Sequence, residues 1–136
     1  MSVKPFFDTN VLVYAFSQDD PRTEVSRILL ATGGIVSVQV LNELTAVLRR
    51  QLKMGWNEVS EALNAVQVLC PTVTSLTLDT HKSALQIAER YGYQIFDSSI
   101  IASADGAKCK ILYSEDMNDG QLIGAVTIRN PYNGKA

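Results

Sequence analysis

The sequence has very few of the side chains that build zinc sites and disulfide frameworks. Its 136 residues include two cysteines, Cys70 and Cys109, and one histidine, His81. Two thiols do not make a disulfide framework, so we expect a reduced protein of the cytoplasm. A single histidine with no cysteine or second histidine near it excludes the usual zinc sites, and His81 is expected at the surface.

Long apolar runs and an excess of positive charge are also missing. The stretch MSVKPFFDTN lacks the apolar core of a signal peptide. No segment approaches the roughly 20 apolar residues that span a bilayer, so no membrane association is expected. Lysine and arginine number 12 against 14 acidic residues, a net charge of −2. This balance excludes a basic protein that coats nucleic acid, but it permits an enzyme that meets nucleic acid through metal ions and a local basic patch.

What the sequence does contain is enough apolar residues for one full core, 46% of the total. No repeat, linker or low-complexity tract divides it, so a single domain is expected over 1–136, with a loose polar tail at 129–136. Short apolar runs predict strands at 3–8, 34–38, 72–76, 110–114 and 124–128, with helical patterns between them. Because parallel strands need crossovers, this alternation predicts an α/β fold: a mostly parallel sheet of four or five strands with helices on both faces.

Two of the predicted helices carry testable detail. Asp20 as N-cap followed by Pro21 at the first helical position is a strong start signal. Apolar residues at helical spacing are expected to face the core. These are Val25, Ile28 and Leu29 in the second helix and Leu78, Leu85, Ile87 and Ala88 in the fifth.

Four acidic residues follow the predicted strands. Asp8 ends the first strand, Glu43 lies in the first turns of the third helix, Asp97 opens a later helix and Asp116 follows the strand at 110–114. Taken singly, each is explained as a helix cap or a solvated charge. Because the carboxyl ends of parallel strands lie on one edge of a sheet, we expect the four to converge near the point where strand order reverses.

Such a group of carboxylates has a restricted chemistry. Carboxylates within a few ångströms of one another repel, so they take up protons or bind cations. Hard oxygen ligands without histidine or cysteine favour Mg²⁺ or Mn²⁺. A pair of these ions clamps the oxygens of a phosphodiester and activates water for attack. The convergence of the acids therefore predicts a metal-dependent enzyme that hydrolyses phosphodiester bonds.

Four short motifs also stand in the order and at the separations of a known family: DTNVLVYA, the NE of VLNELTAVLRR, FDSSIIASA and YSEDMNDG. None is specific alone, but together they resemble the PIN-domain ribonucleases, and most of all the VapC-type toxins of bacterial toxin–antitoxin pairs. The resemblance covers nearly the whole chain. It implies a three-layer α/β/α sandwich, an RNA substrate, Mg²⁺ or Mn²⁺ as cofactor, a homodimer and an antitoxin partner.

The resemblance also implies roles for particular residues. The acids that match the family's metal-binding and catalytic positions are Asp8, Glu43, Asp97 and Asp116. Asn10 and Ser114 match the small polar residues that orient them. Asp119 lies where the motif departs from many relatives, and a further metal ligand and a turn residue before Gly120 are equally open there.

Other functions remain open at this stage. One is a phosphatase or phosphoacceptor domain in which phosphorus is attacked by Asp8. Receiver-type domains need a lysine where this chain has Ser114 and Glu115, and haloacid-dehalogenase-type phosphatases have a second aspartate where this chain has Asn10. Another is a non-catalytic RNA- or protein-binding module whose acids are caps and surface charges. The basic cluster of Arg49, Arg50 and Lys53 is either a solvated helix face or a phosphate contact.

Overall fold

The computed structural model describes residues 3–133 of the chain. Its strands are β1 (Phe6–Phe7), β2 (Ile35–Ser37), β3 (Thr72–Thr74), β4 (Ile111–Tyr113), β5 (Leu122–Ile123) and β6 (Val126–Arg129). Its helices are α1 (Thr9–Phe16), α2 (Thr23–Thr32), α3 (Val38–Arg50), α4 (Trp56–Leu69), α5 (Leu78–Tyr91) and α6 (Ile95–Gly106).

The strands form one sheet in the order β3-β2-β1-β4-β6-β5. Neighbours are parallel except for β5 and β6, which are antiparallel. The predicted α/β class is confirmed, but the described residues contain six strands where four or five were expected. The difference arises because the run predicted at 124–128 is one arm of a hairpin whose other arm is the two-residue β5.

The strand order reverses at β1. The chain moves from β1 to β2 and β3 on one side, then crosses to β4 on the other side. In such sheets ligands bind at the carboxyl ends of the strands on either side of the reversal. Here those ends lead into the segments that begin at Asp8 and Ser114, so the topology directs both segments to one crevice.

The helices form two groups. Helix α1 contacts α2 and α3, and both of these contact α4. Helix α5 packs on α6, and α6 contacts β2, β4 and β6. The core between these layers includes both residues of β1, Phe6 and Phe7, which are fully buried. A strand buried on both sides is typical of a parallel sheet covered by helices on its two faces.

Two apolar stripes face the core only in part: Leu29 of α2 and Ile87 of α5 pack against it as predicted, but other members do not. Val25 and Ile28 of α2 are exposed, as are Leu78 and Leu85 of α5. Helix α2 instead buries Leu30 and the polar Ser26, whose hydroxyl lies 2.6 Å from the hydroxyl of Tyr132. A buried hydroxyl is tolerated when it has such a partner. Helix α5 buries the small Ala84 and packs closely on α6.

The predicted start of α2 is displaced by two residues. The helix begins at Thr23, with Arg22 as its N-cap. Asp20 does not cap it because the Asp20 carboxylate is taken by Arg22: Oδ1 accepts hydrogen bonds from the Arg22 backbone N and from Nε, each at 2.9 Å. The residues predicted to start the helix therefore form a turn, in which the Asp20 carboxylate accepts a hydrogen bond from the backbone N two residues ahead.

The end of the chain was expected to be a loose tail at 129–136, but its described part, up to 133, contacts the rest of the domain. Arg129 belongs to β6, and Tyr132 packs against the core, with its backbone N donating to Asn130 Oδ1. Residues 134–136 lie outside the described part. Cys70 and Cys109 are buried free thiols, and His81 is exposed as predicted. Within 3–133 we find no helix that combines the length and apolarity needed to cross a membrane.

Gly34 provides a test of how tightly β1 is packed. An added Cβ there would lie 2.3 Å from Cε2 of Phe7, inside any permitted contact. We expect Gly34→Ala to lower the free energy of unfolding by about 2–3 kcal/mol through overpacking. Gly106→Ala is the control, since its added Cβ would meet no atom beyond its chain neighbours and its own helix backbone within 4 Å, and a change within about 1 kcal/mol is expected. Urea unfolding measures the free energy of unfolding of both variants. Equal values for Gly34→Ala and Gly106→Ala would contradict the close packing of Gly34 against Phe7.

Candidate active site

Asp8 is the buried centre of the acidic edge. It follows β1 and is the N-cap of α1, and the residue is only 3% exposed. Its Oδ1 accepts a hydrogen bond from the backbone N of Thr9 at 2.7 Å, and its Oδ2 accepts one from Ser114 Oγ at 2.7 Å. The second contact follows from the sheet register, which pairs Phe7 with Tyr113 and so places the next residue of each strand side by side.

Asn10 joins Asp8 to the loop after β4. Its Nδ2 lies 3.0 Å from Asp116 Oδ2 and 3.4 Å from Asp8 Oδ2. Its Oδ1 accepts a hydrogen bond from the backbone N of Glu115 at 3.2 Å. Ser114 Oγ accepts one from the backbone N of Asp116 at 3.1 Å. The two residues that the resemblance assigned to orientation therefore both contact the acids.

Glu43 is held from two sides by neutral donors. Thr9 Oγ1 donates to Glu43 Oε1 at 2.6 Å, and Gln39 Nε2 donates to Oε2 at 3.0 Å. Gln39 also donates to the backbone O of Phe96 at 2.9 Å, which links α3 to the first turn of α6. Sequence reasoning missed both donors. The spacing of Gln39 four residues before Glu43, on one helix face, was the available signal.

Asp97 occupies the third position of α6. The helix begins at Ile95 with Gln94 as its N-cap, two residues before the predicted opening at Asp97. The Asp97 carboxylate is half-buried and accepts a hydrogen bond from the Gln94 side chain. Its place in the first turn lets the positive end of the helix stabilise its negative charge.

The pKa shifts show that the acids affect one another. Burial raises the pKa of Asp8 from 3.8 to about 7, against the lowering effect of its hydrogen bonds, and the charges of Asp97 and Glu43 raise it further. Burial also raises the pKa of Asp97, with additional contributions from Asp116 and Glu43. The structure thus brings Asp8, Glu43, Asp97 and Asp116 together at one edge of the sheet.

Asp119 has hydrogen-bond partners after β6. Its Oδ1 accepts a hydrogen bond from the backbone N of Asn130 at 2.8 Å, and its Oδ2 accepts one from Asn133 Nδ2 at 3.2 Å. Both carboxylate oxygens therefore contact the segment that follows β6. Of the two roles left open by the sequence, this placement favours the structural one.

A second charged cluster lies beside the acids. Arg22 Nη1 donates to both carboxylate oxygens of Glu115, at 2.9 and 3.2 Å, and the guanidinium lies 4.0 Å from the centroid of the Tyr14 ring. Tyr14 Oη donates to Glu115 Oε1 at 2.5 Å. Arg22 and Tyr14 therefore hold the Glu115 carboxylate. The backbone N of Glu115, by contrast, donates to the Asn10 side chain at the acidic edge. This cluster was not foreseen, because Glu115 lies 93 residues from Arg22 and 101 residues from Tyr14 in sequence.

The donor set fits a hard divalent cation in its chemistry. All four converging side chains are carboxylates, and the two with resolved shifts have raised pKa values, as expected of crowded acids that lack a cation. Within residues 3–133, however, no three acidic, histidine or cysteine side chains are grouped as metal ligands. In the described arrangement, Thr9, Asn10, Gln39 and Ser114 satisfy the carboxylate oxygens instead.

Comparison with known proteins identifies the family of the chain. A family model described as the PIN domain matches residues 6–118, which include all four converging acids. The chain belongs to the PIN domain family. The matched region ends one residue before Asp119. No significant match was found among the curated proteins.

Three solved structures share the PIN fold of this chain. One is described as a toxin–antitoxin complex from Klebsiella pneumoniae, with a TM-score of 0.71 and 18% identity over 94% of this chain and 98% of that one. Another is VapC20 of Mycobacterium tuberculosis, with a TM-score of 0.67 and 20% identity over 82% and 90%. The third is VapBC2 of Rickettsia felis, with a TM-score of 0.65 and 17% identity over 92% and 96%. At these identities the likeness establishes the fold.

Burial of Asp8 predicts a pH-dependent stability. Unfolded Asp8 loses its proton near pH 3.8, whereas folded Asp8 keeps it up to about pH 7. In chelator-treated protein, the free energy of unfolding should therefore fall as pH rises through this window. The fall from this residue is on the order of 2–4 kcal/mol.

Asp8→Asn is the variant that isolates this effect. An amide cannot ionise, and the Ser114 hydroxyl can accept a hydrogen bond from it, so the fold should be retained. Urea unfolding at pH 4 and pH 7 should show a much smaller pH dependence for the variant than for the unmodified chain. Equal pH dependence in the two proteins would mean that Asp8 is ionised in the folded state.

Proposed function

We propose that this PIN domain is a metal-dependent endoribonuclease that hydrolyses phosphodiester bonds in RNA. The observation that carries the proposal is the convergence of Asp8, Glu43, Asp97 and Asp116 at the carboxyl edge of the sheet, where Asp8 is buried with a raised pKa. An enzyme that did not use a cation would gain nothing from crowding acids that destabilise the fold.

The proposed cofactor is Mg²⁺ or Mn²⁺, held by the same four carboxylates. When bound, such an ion polarises the phosphodiester and activates water as the nucleophile. The chain's own residues provide orientation: Ser114 and Thr9 hold Asp8, and Thr9 and Gln39 hold Glu43. Asn10 fixes the spacing between Asp8 and Asp116. Asp119 is excluded from the proposed ligand set, because both its oxygens contact the segment after β6.

We further propose that the chain is the toxin of a toxin–antitoxin pair. The three structures of similar fold are described as a sarcin–ricin-loop-cleaving toxin, a toxin–antitoxin complex and a VapBC pair bound to a promoter DNA fragment. An antitoxin protein, a homodimer and a cytoplasmic location belong to the same proposal. Exposed apolar side chains such as Ile28, Leu78 and Phe96 are surfaces that protein partners commonly cover.

The phosphoacceptor alternative is less compatible with the site. A nucleophilic aspartate must meet phosphorus directly, but Asp8 is 3% exposed and both its oxygens accept hydrogen bonds. A non-catalytic module would not require a carboxylate oriented by two donors, as Glu43 is, or a carboxylate buried at a cost in stability, as Asp8 is. No observation favours either alternative over the nuclease.

The first test is cleavage of a mixed RNA pool by the purified chain. We expect cleavage with Mn²⁺, none with EDTA, and a loss of at least about 100-fold in Asp97→Asn, since a ligand should matter at least as much as its supporting groups. Asp119→Asn is the matched control and should keep cleavage, because its carboxylate contacts Asn130 and Asn133.

Metal binding separates the remaining outcomes. Calorimetric titration of the chain with Mn²⁺ should give heat that Asp97→Asn lacks and Asp119→Asn retains. Metal binding without cleavage would indicate a nuclease that is inhibited or very selective. No cleavage and no metal binding would refute the proposal and leave the non-catalytic module.

A further inference from the structure

A groove between α1 and α3 leads away from the acidic edge. It has a volume of about 470 Å³ and is lined along α1 by Asn10, Val13 and Tyr14. Along α3 it is lined by Glu43, Ala46, Val47, Arg50 and Gln51. This volume falls within the usual range of small-ligand pockets, so the groove has room for about one nucleotide.

The groove has a polarity along its length. Glu43 and Arg50 are seven residues apart on α3, so they lie on nearly the same face and about 10 Å apart along the helix axis. Ala46 and Val47 lie between them on that face. One end therefore carries the acids, the middle is small and apolar, and the far end carries a cation.

Arg50 differs from its neighbour Arg49 in its contacts. Arg49 Nη1 donates to the backbone O of Met54 at 2.9 Å, and its guanidinium lies 4.3 Å from the centroid of the Trp56 ring. Arg49 is therefore committed to the start of α4. Among residues 3–133, no hydrogen bond or ion pair engages the guanidinium of Arg50, which is exposed at the groove. Its five donors are available to a ligand.

We infer that the α1–α3 groove binds the RNA strand next to the scissile bond, with Arg50 contacting a neighbouring phosphate. This inference rests on the proposed ribonuclease function. The acids repel a polyanion, so a cation at the other end of the groove compensates part of that repulsion and fixes the direction of the strand. A contact from Arg50 to a phosphate positions the strand and does not by itself read its sequence.

Arg50→Gln and Arg49→Gln form a matched pair for the test. Both remove one positive charge from adjacent positions of α3, so they change net charge equally. Steady-state cleavage of a labelled single-stranded RNA in Mn²⁺ is compared at several salt concentrations. We expect Arg50→Gln to raise KM about tenfold with kcat within about twofold, because a charged hydrogen bond to the bound strand is lost.

The salt dependence identifies the lost contact as a phosphate contact. Each phosphate neutralised on single-stranded nucleic acid contributes about 0.7 to the slope of log affinity against log salt. Fluorescence titration of the same RNA in EDTA should give a slope smaller by about this amount for Arg50→Gln. Arg49→Gln should keep the KM, kcat and slope of the unmodified chain.

The possible failures are distinguishable. Cleavage by the unmodified chain, with equal effects of the two substitutions on KM and slope, would overturn the assignment of Arg50 and leave the nuclease intact. A fall in kcat alone would also overturn it. An unchanged KM and an unchanged salt slope for Arg50→Gln would also overturn it. Absence of both binding and cleavage in the unmodified chain would instead refute the proposed function.

Discussion

The hydrogen bond between Ser114 Oγ and Asp8 Oδ2 is the contact on which the acidic edge depends. It forms because β1 and β4 are parallel neighbours in a register that places the residues after Phe7 and Tyr113 side by side. Without it, the Asp8 carboxylate would be buried with the Thr9 amide as its main donor. A buried carboxylate lacking sufficient donors is costly, so the register of two short strands sets the electrostatics of the site.

Neutral side chains also position the other acids by hydrogen bonds. Thr9 and Gln39 hold Glu43, and Asn10 bonds both Asp8 and Asp116. Hydroxyl and amide donors satisfy carboxylate oxygens without cancelling their charge. A lysine or arginine in the same places would lower the pKa of each acid and compete with a metal ion. Arg22, which lies close to these acids, is directed to Glu115 and Asp20 instead.

The fold and the site have opposing requirements. Burial and mutual repulsion raise the pKa of Asp8 and Asp97, so ionising them opposes folding. A cation that binds the folded chain and not the unfolded one would offset this cost through mass action. The apolar core and the fully buried β1 provide stability that does not depend on the acids. Because the core and the acids are separate, the acidic edge can lower the free energy of unfolding while the domain stays folded.

Much of this organisation can be read from the sequence. The alternation of apolar runs and helical patterns gave the α/β class, because strand pairing and helical periodicity are local signals. Each of Asp8, Glu43 and Asp116 stands after a strand, and Asp97 in a first helical turn, so parallel pairing alone brings them to one edge. The position of Asp8 as cap of α1 follows from the same local rule.

Tertiary structure decided what local patterns could not. The stripe of Val25 and Ile28 reads as a core face, but its orientation depends on which side of α2 meets α1 and α4, and that side carries Ser26 and Leu30. The sequence left Asp119 equally open as a metal ligand and as a turn residue. The structural role is favoured because the chain after β6 places the backbone N of Asn130 against its carboxylate. Arg22 and Glu115 are 93 residues apart and meet only through packing. Sequence therefore determined which chemical groups follow which strands, and the packing of helices and loops decided which of them touch, because such contacts depend on register and helix rotation.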